Sequence, residues 1–198
     1  MTAPRLYLAS ASPRRSQLLQ QIEVPHVVRP VVIDESPRDG EAPAAYVLRL
    51  AEQKAQALWS QLAPGERLPV LAADTTVAIE GAILGKPADR AELHAMFRRL
   101  SGRTHEVHTA VAVMHDGRVH ARVSTSEVSF RELAPAEIDW YWDTGEPADK
   151  AGGYAVQGRA AVFIRHIAGS YSGVMGLPLY ETWELLAPAL GQTLRSAS

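Results

Sequence analysis

The chain has 198 residues, 46% of them hydrophobic, and a formal net charge of −2. That suits one domain (residues 1–198) with a real core and room for two lobes, and it argues against a general nucleic-acid binder. There is no cysteine, which excludes disulfides, thiolate metal sites and cysteine nucleophiles. No apolar run reaches membrane-spanning length and no signal-peptide core precedes the first strand, so the expected setting is the cytoplasm, away from membranes.

In chain order, the apolar run from Leu6 predicts a buried strand that ends in small residues. Ser12 is a good N-cap and Pro13 suits the first helical position, so a helix follows with Leu18, Leu19 and Ile22 as its apolar face. His26 to Ile33 reads as a second strand, interrupted by Pro30. Asp34 to Pro43 is loop, and a long helix is expected from about Ala44 to Leu62. Leu68 to Ala73 has the continuous apolar pattern of a central strand. It should end at Asp74-Thr75-Thr76, with strand character resuming over Val77 to Ile79 and a turn over Gly81 to Pro87. A helix over Asp89 to Leu100 is closed by Ser101-Gly102. Two alternating segments, Thr104–Met114 and Arg118–Phe130, flank Asp116-Gly117, a strong hairpin signal. A short helix over Pro135–Trp142, a glycine-rich functional loop over Thr144–Gly158, a strand over Phe163–Ile167 and a helix over Pro178–Leu190 complete the pattern, with Gly191–Ser198 as a frayed tail. Interleaved helices and strands with one long hairpin indicate an α/β fold with a mixed sheet.

Several residues stand out chemically. Arg14 and Arg15 occupy a helix start, where positive charge is unfavourable unless an anion joins it. With Ser10, Ser12 and the free amides they either hold phosphate or form a plain turn with solvated arginines. Of 20 lysines and arginines only Lys54, Lys86 and Lys150 are lysines, which suggests a need for a compact point charge at these places. Lys54 lies on the apolar stripe of its helix, either snorkelling or pointing into a cleft. Asp74, at the expected end of a buried strand, sits where α/β sheets place reactive groups; the alternative is a cap for the next turn. Glu35, beside Asp34, could join Mg²⁺ to phosphates, although acidic loop pairs are commonly just solvated. His105 and His108, three apart in a strand, fall on opposite faces and make no zinc site. Gly169-Ser170-Tyr171-Ser172-Gly173 has tyrosine where a hydrolase elbow needs serine. The Gln157 amide matches the O4 and N3–H edge of uracil or thymine, although an isolated glutamine is usually surface decoration.

The motifs Ala9-Ser10-Ala11-Ser12-Pro13-Arg14-Arg15, Ala72-Ala73-Asp74-Thr75, Gly85-Lys86-Pro87 and Ser101-Gly102-Arg103-Thr104-His105 occur in this order. Asp149-Lys150-Ala151-Gly152 with Gln157-Gly158, and Gly176-Leu177-Pro178-Leu179, continue the series. Together, over about Leu6 to Leu190, they resemble the Maf family of nucleotide pyrophosphatases. The resemblance implies an elongated, two-lobed α/β fold with a central cleft, like the inosine-triphosphate pyrophosphatases (Maf/Ham1), often as a homodimer. It implies cleavage of a nucleoside triphosphate to monophosphate and pyrophosphate with a divalent cation, Mg²⁺ or Mn²⁺. Asp74 then matches the proton acceptor and, with Glu35, a metal ligand; Lys54, Lys86, Arg14 and Arg15 stabilise triphosphate charge beside Ser10. Arg14, Thr75 and Gln157 match positions tied to substrate choice, and Lys150 with Gln157 looks like the subgroup acting on dTTP and UTP rather than 7-methyl-GTP. A non-catalytic nucleotide-binding regulator of septum formation and cell division, or a 7-methyl-GTP-type pyrophosphatase, is the alternative. Ala11 stands where many relatives have glycine, and would be strained if its φ were positive.

Overall fold

The computed structural model describes residues 3–191. Its elements are β1 (Leu6–Leu8), α1 (Pro13–Gln21), β2 (His26–Val28), α2 (Pro43–Gln61), β3 (Val70–Ile79), β4 (Ala82–Leu84) and α3 (Arg90–Leu100). Then come β5 (Thr104–His115), β6 (Arg118–Phe130), α4 (Pro135–Asp143), β7 (Ile164–Ala168), α5 (Tyr171–Met175) and α6 (Leu179–Ala189), with 3-10 turns at Pro64–Glu66, Glu146–Asp149, Ala151–Gly153 and Arg159–Phe163. The strands form one mixed sheet, ordered β2-β1-β3-β5-β6-β7, with β4 also on β3. β1 is parallel to β2 and β3, and the other pairs are antiparallel. The α/β mixed sheet is therefore as expected.

Strand alternation sorts the sheet into two faces. Val70 and Ala72 of β3, with Ala110 and Ala112 of β5, meet Val47, Ala51, Ala55 and Leu58 of α2; the alanines let the helix approach closely. Leu71 and Ala73, with Val111 and Val113, meet Leu18 and Leu19 of α1 and Leu186 of α6. Further along the long strands a third cluster, Phe97, Phe130, Tyr141 and Phe163 with Val77, builds the second lobe from α3 and α4.

The strand expected to end at Ala73 does not end there. β3 runs unbroken from Val70 to Ile79, because Thr75 and Thr76 are β-branched and pair with Thr109 and His108 across β5. What ends is its neighbour. β1 accompanies β3 only at Val70 and Leu71, with one further bond from Ala9 N to Leu71 O (2.8 Å), and β4 joins only at Val77. Ala72 to Thr76 thus have β5 on one side and an open edge on the other. β4 itself lies inside the turn expected over Gly81–Pro87; Glu80 and Gly81, both at positive φ, make the two-residue hairpin.

The second strand is shorter than expected, β2 stopping at Val28. Arg29 N makes the last bond to Leu8 O, Pro30 has no N–H, and Val32 beyond it is 99% exposed. α5 was not expected; Ser170 caps it by accepting from Gly173 N (3.0 Å). Ala11 is not at positive φ, so alanine is unstrained there. The expected tail lies outside the described residues beyond Gly191.

Candidate active site

The open edge of β3 floors a cleft of about 580 Å³ lined by both lobes. One wall is the β1–α1 turn, Ala9 to Arg15; the other is the β4–α3 turn with Lys86 and the loop through Lys150 to Gln157. Every residue expected at the site lines this one cavity: Ser10, Arg14, Arg15, Glu35, Lys54, Asp74, Thr75, Lys86, Lys150 and Gln157.

Asp74 has the parity of Ala72, so it points to the α2 face, where Lys54 reaches it. Both are 8% exposed, and Lys54 Nζ lies 2.6 Å from Asp74 Oδ1 and 2.6 Å from Glu35 Oε1. Lys54 therefore points into the cleft rather than snorkelling. Partial burial pushes the Glu35 carboxyl up, and the hydrogen bond and charge of Lys54, with Lys86 and Arg15, more than reverse this to leave it below its ordinary value. Tyr46, which the sequence reading passed over, donates to the Glu35 carbonyl (2.9 Å), and burial beside Asp74 and Glu35 raises its pKa to about 12.

Thr75 has the opposite parity and faces α1 and α5. Its hydroxyl accepts from Arg15 (3.3 Å) and lies 3.0 Å from Thr109 Oγ1, which donates to Gly173 O (2.7 Å). Arg15 also donates to Ser10 Oγ (3.0 Å) and Gly176 O (2.8 Å), leaving about two of its five N–H donors for a ligand. Burial lowers its pKa, opposed by the charge of Asp74. Ser12 occupies the N-cap of α1 without capping it through its side chain, contrary to expectation, so the first-turn amides stay open to the cleft.

The two arginines have separate roles. Arg15 is braced, whereas the charge of Arg14 reaches across to Asp149 on the opposite wall. Lys86 is exposed on the rim and Lys150 pairs with Asp149. The glycine-rich loop is clamped to the Lys86 turn through Gly152 N and Gly85 O (2.8 Å). Gln157 is exposed and lines the same cleft.

The arrangement can hold a polyanion along its cationic wall and offers carboxylates at its floor. Asp74, Glu35 and Lys54 sum to a formal charge of −1, and the two acids already share one cation, the Lys54 ammonium. A pair of carboxylates completed by waters and phosphate oxygens is a donor set that suits Mg²⁺ or Mn²⁺. Among the described residues no group of three or more histidine, cysteine or acidic side chains could hold a metal by itself, consistent with His105 bonding Tyr154 (2.7 Å) and His108 bonding Thr125 (3.0 Å). No described helix is long and apolar enough to cross a membrane.

The family described as Maf-like protein matches residues 5–189. Curated proteins named dTTP/UTP pyrophosphatase are similar over nearly the whole chain. That of Bordetella parapertussis is 55% identical over 194 residues, covering 94% of this chain and 93% of its own. The Bordetella avium protein is 54% identical (94% and 96% covered), and the Nitrosomonas europaea protein 49% (91% and 92%). Among solved structures, the Staphylococcus aureus Ham1 protein aligns with a TM-score of 0.43 at 15% identity, over 66% of this chain and 72% of that one.

Proposed function

The chain belongs to the Maf family, and on that premise we propose that it hydrolyses dTTP and UTP between the α and β phosphates, releasing the nucleoside monophosphate and pyrophosphate. The observation that carries this reading is Lys54 held between Asp74 and Glu35 on the open edge of β3, with Arg14, Arg15, Lys86, Lys150 and Gln157 in the same cleft lining. The names of its relatives agree with it.

The triphosphate lies along the α1 N-terminus, whose amides and the two remaining Arg15 donors bind phosphate oxygens. Asp74 orients a water and takes its proton as the water adds to the scissile phosphorus; the bond to the α–β bridging oxygen breaks and pyrophosphate leaves. Lys54, Lys86 and Arg14 stabilise the charge that moves onto the leaving group. Asp74 and Glu35 would hold a divalent cation, which would supply further charge neutralisation. Lys150 and Gln157 receive the base, the glutamine amide matching the adjacent acceptor and donor of uracil or thymine. The homodimer, which rests on the family resemblance, and the cytoplasmic setting, which rests on the sequence pattern, belong to the same proposal. Light scattering on the purified protein tests the dimer.

The deciding experiment incubates the protein with dTTP, UTP, dCTP, dGTP and 7-methyl-GTP, with Mg²⁺ or Mn²⁺ or with EDTA, scoring pyrophosphate against orthophosphate. Pyrophosphate released preferentially from dTTP and UTP, and lost with EDTA, is the expected result. Tight binding without turnover would favour the regulator reading, and orthophosphate release would place the cut elsewhere.

A further inference from the structure

We propose that Tyr141 and Glu146, outside the cleft lining, are positioning residues for base choice, because together they fix the turn that presents Gln157 and the lysine beside it. The inference deepens the proposed function and rests on Gln157 facing the base.

Among the described residues Gln157 has no side-chain hydrogen-bond partner that would aim it, so its direction comes from its backbone. That backbone is a tight turn, closed by Gly158 N donating to Ala155 O (3.0 Å). Both flanks of the turn are tied to one polar pair in the second lobe. Upstream, Ala155 N donates to Tyr141 Oη (3.3 Å). Downstream, Arg159 N donates to Glu146 Oε2 (3.0 Å), with Ala160 N at 3.5 Å from Oε1. Tyr141 joins the two anchors by donating to Glu146 Oε1 (2.7 Å). The carboxylate accepts from the phenol on Oε1 and from Arg159 N on Oε2, whereas an amide would place an N–H donor at one of these two positions.

The same residue fixes the other base-end group. The Glu146 carbonyl accepts from Lys150 Nζ (3.3 Å). Its own position is set by Gly145, at φ 72°, which turns the chain out of α4, and by Glu146 N donating to Thr144 Oγ1 (3.2 Å). The glycine after Gln157 follows from this packing: a Cβ on Gly158 would overlap the Glu146 carboxylate. Tyr141 is itself immobile, fully buried and stacked on Phe97 with ring centroids 5.7 Å apart. The hub thus transmits the rigidity of the aromatic core to a residue exposed in the cleft.

The test compares the wild type with Tyr141→Phe, which keeps the ring in its cluster, and with Glu146→Gln. For each, kcat and KM are measured on dTTP, dCTP and dGTP, alongside the melting temperature. Tyr141→Phe is expected to lower the preference for dTTP over the other two by roughly 10-fold, through KM, with kcat on dTTP within about twofold. Gln157→Ala should lower it at least as far, and Tyr141→Phe combined with Gln157→Ala should lose nothing more, the signature of residues acting through one another. A variant that folds yet loses activity equally on all three nucleotides overturns the proposal, as does a double variant whose losses multiply. If Glu146→Gln does not fold, the tyrosine variant decides alone. If Gln157→Ala leaves the preference unchanged, the base-reading role of Gln157 is what has failed, and the positioning role falls with it.

Discussion

Asp74 and Lys54 form a buried pair, and Lys54 has a second carboxylate partner in Glu35. Replacing Asp74 by asparagine keeps the volume and one acceptor for Lys54 Nζ, but removes the carboxylate proposed above as proton acceptor and metal ligand. The expected outcome is pyrophosphate release from dTTP reduced roughly 10²–10⁴-fold with an unchanged circular-dichroism spectrum. Full turnover by this variant would remove Asp74 from the chemistry. Gln157→Glu acts differently, since it exchanges the amide donor for an acceptor at the base end. It should chiefly damage discrimination among bases; equal loss on every nucleotide in the same kinetic panel would mean that Gln157 serves the fold. The place of Asp74 and Glu35 in the cleft was approachable from residue type and local setting, whereas Tyr46 and Thr109 gave no local signal. Their value comes from what they touch: the Glu35 carbonyl in one case, Gly173 O and the Thr75 hydroxyl in the other.

At the scale of elements, the β3–β4 hairpin and the glycine-rich loop act as one wall. Gly152 and Gly153 both sit at positive φ, and a Cβ would lie 2.8 Å from Val77 on the first and 2.5 Å from Leu93 on the second. Both therefore allow the loop to seat directly on β3 and α3, which carries Lys86 and Lys150 to the same side of the cleft. Gly152→Ala adds overpacking to backbone strain and should cost about 2–4 kcal/mol in urea unfolding. In the fraction that folds, KM for the triphosphate should rise, because the bond to Gly85 O is displaced along with the loop. Elsewhere in the sheet turn chemistry was legible in the sequence, with Asp116-Gly117 between β5 and β6 the clearest case. β4 was not, because three residues between a glycine turn and Gly85-Lys86-Pro87 are too few for a pattern to show.

Across the whole molecule, the aromatic cluster of the second lobe carries stability, and it touches the cleft only through particular members such as Val77 and Tyr154. Phe97 is fully buried among Phe130, Tyr141 and Phe163, with no place in the cleft lining. Phe97→Ala should cost about 3–5 kcal/mol by denaturant unfolding. His105 lies beside the same aromatic rings, and burial lowers its pKa to about 4, with Nδ1 left without a partner. A histidine that is harder to protonate when folded makes the unfolded state bind the extra proton first. Stability from this residue is therefore intact above the unfolded value near 6.5 and falls as pH drops toward 4, by about 2 kcal/mol between pH 7 and pH 5. Unfolding titrations should show this slope, and His105→Gln should flatten it.

By itself the sequence determined the fold class, nearly all the elements, the family resemblance and the ten residues that the cleft brings together. It could do so because hydrophobic period, caps and turn residues act over a few positions, and because each site motif lies within one short segment. Only the tertiary structure decided why those segments meet. Asp74 sits in the middle of a strand, not at its end, and becomes accessible because β1 turns away after Leu8 while β4 joins only at Val77. Alternation along β3 then sends Asp74 to Lys54 on one face and Thr75 to Arg15 on the other. Which neighbour a strand edge acquires, and where it loses it, depends on contacts between segments far apart in the chain. Local patterning carries no record of such contacts.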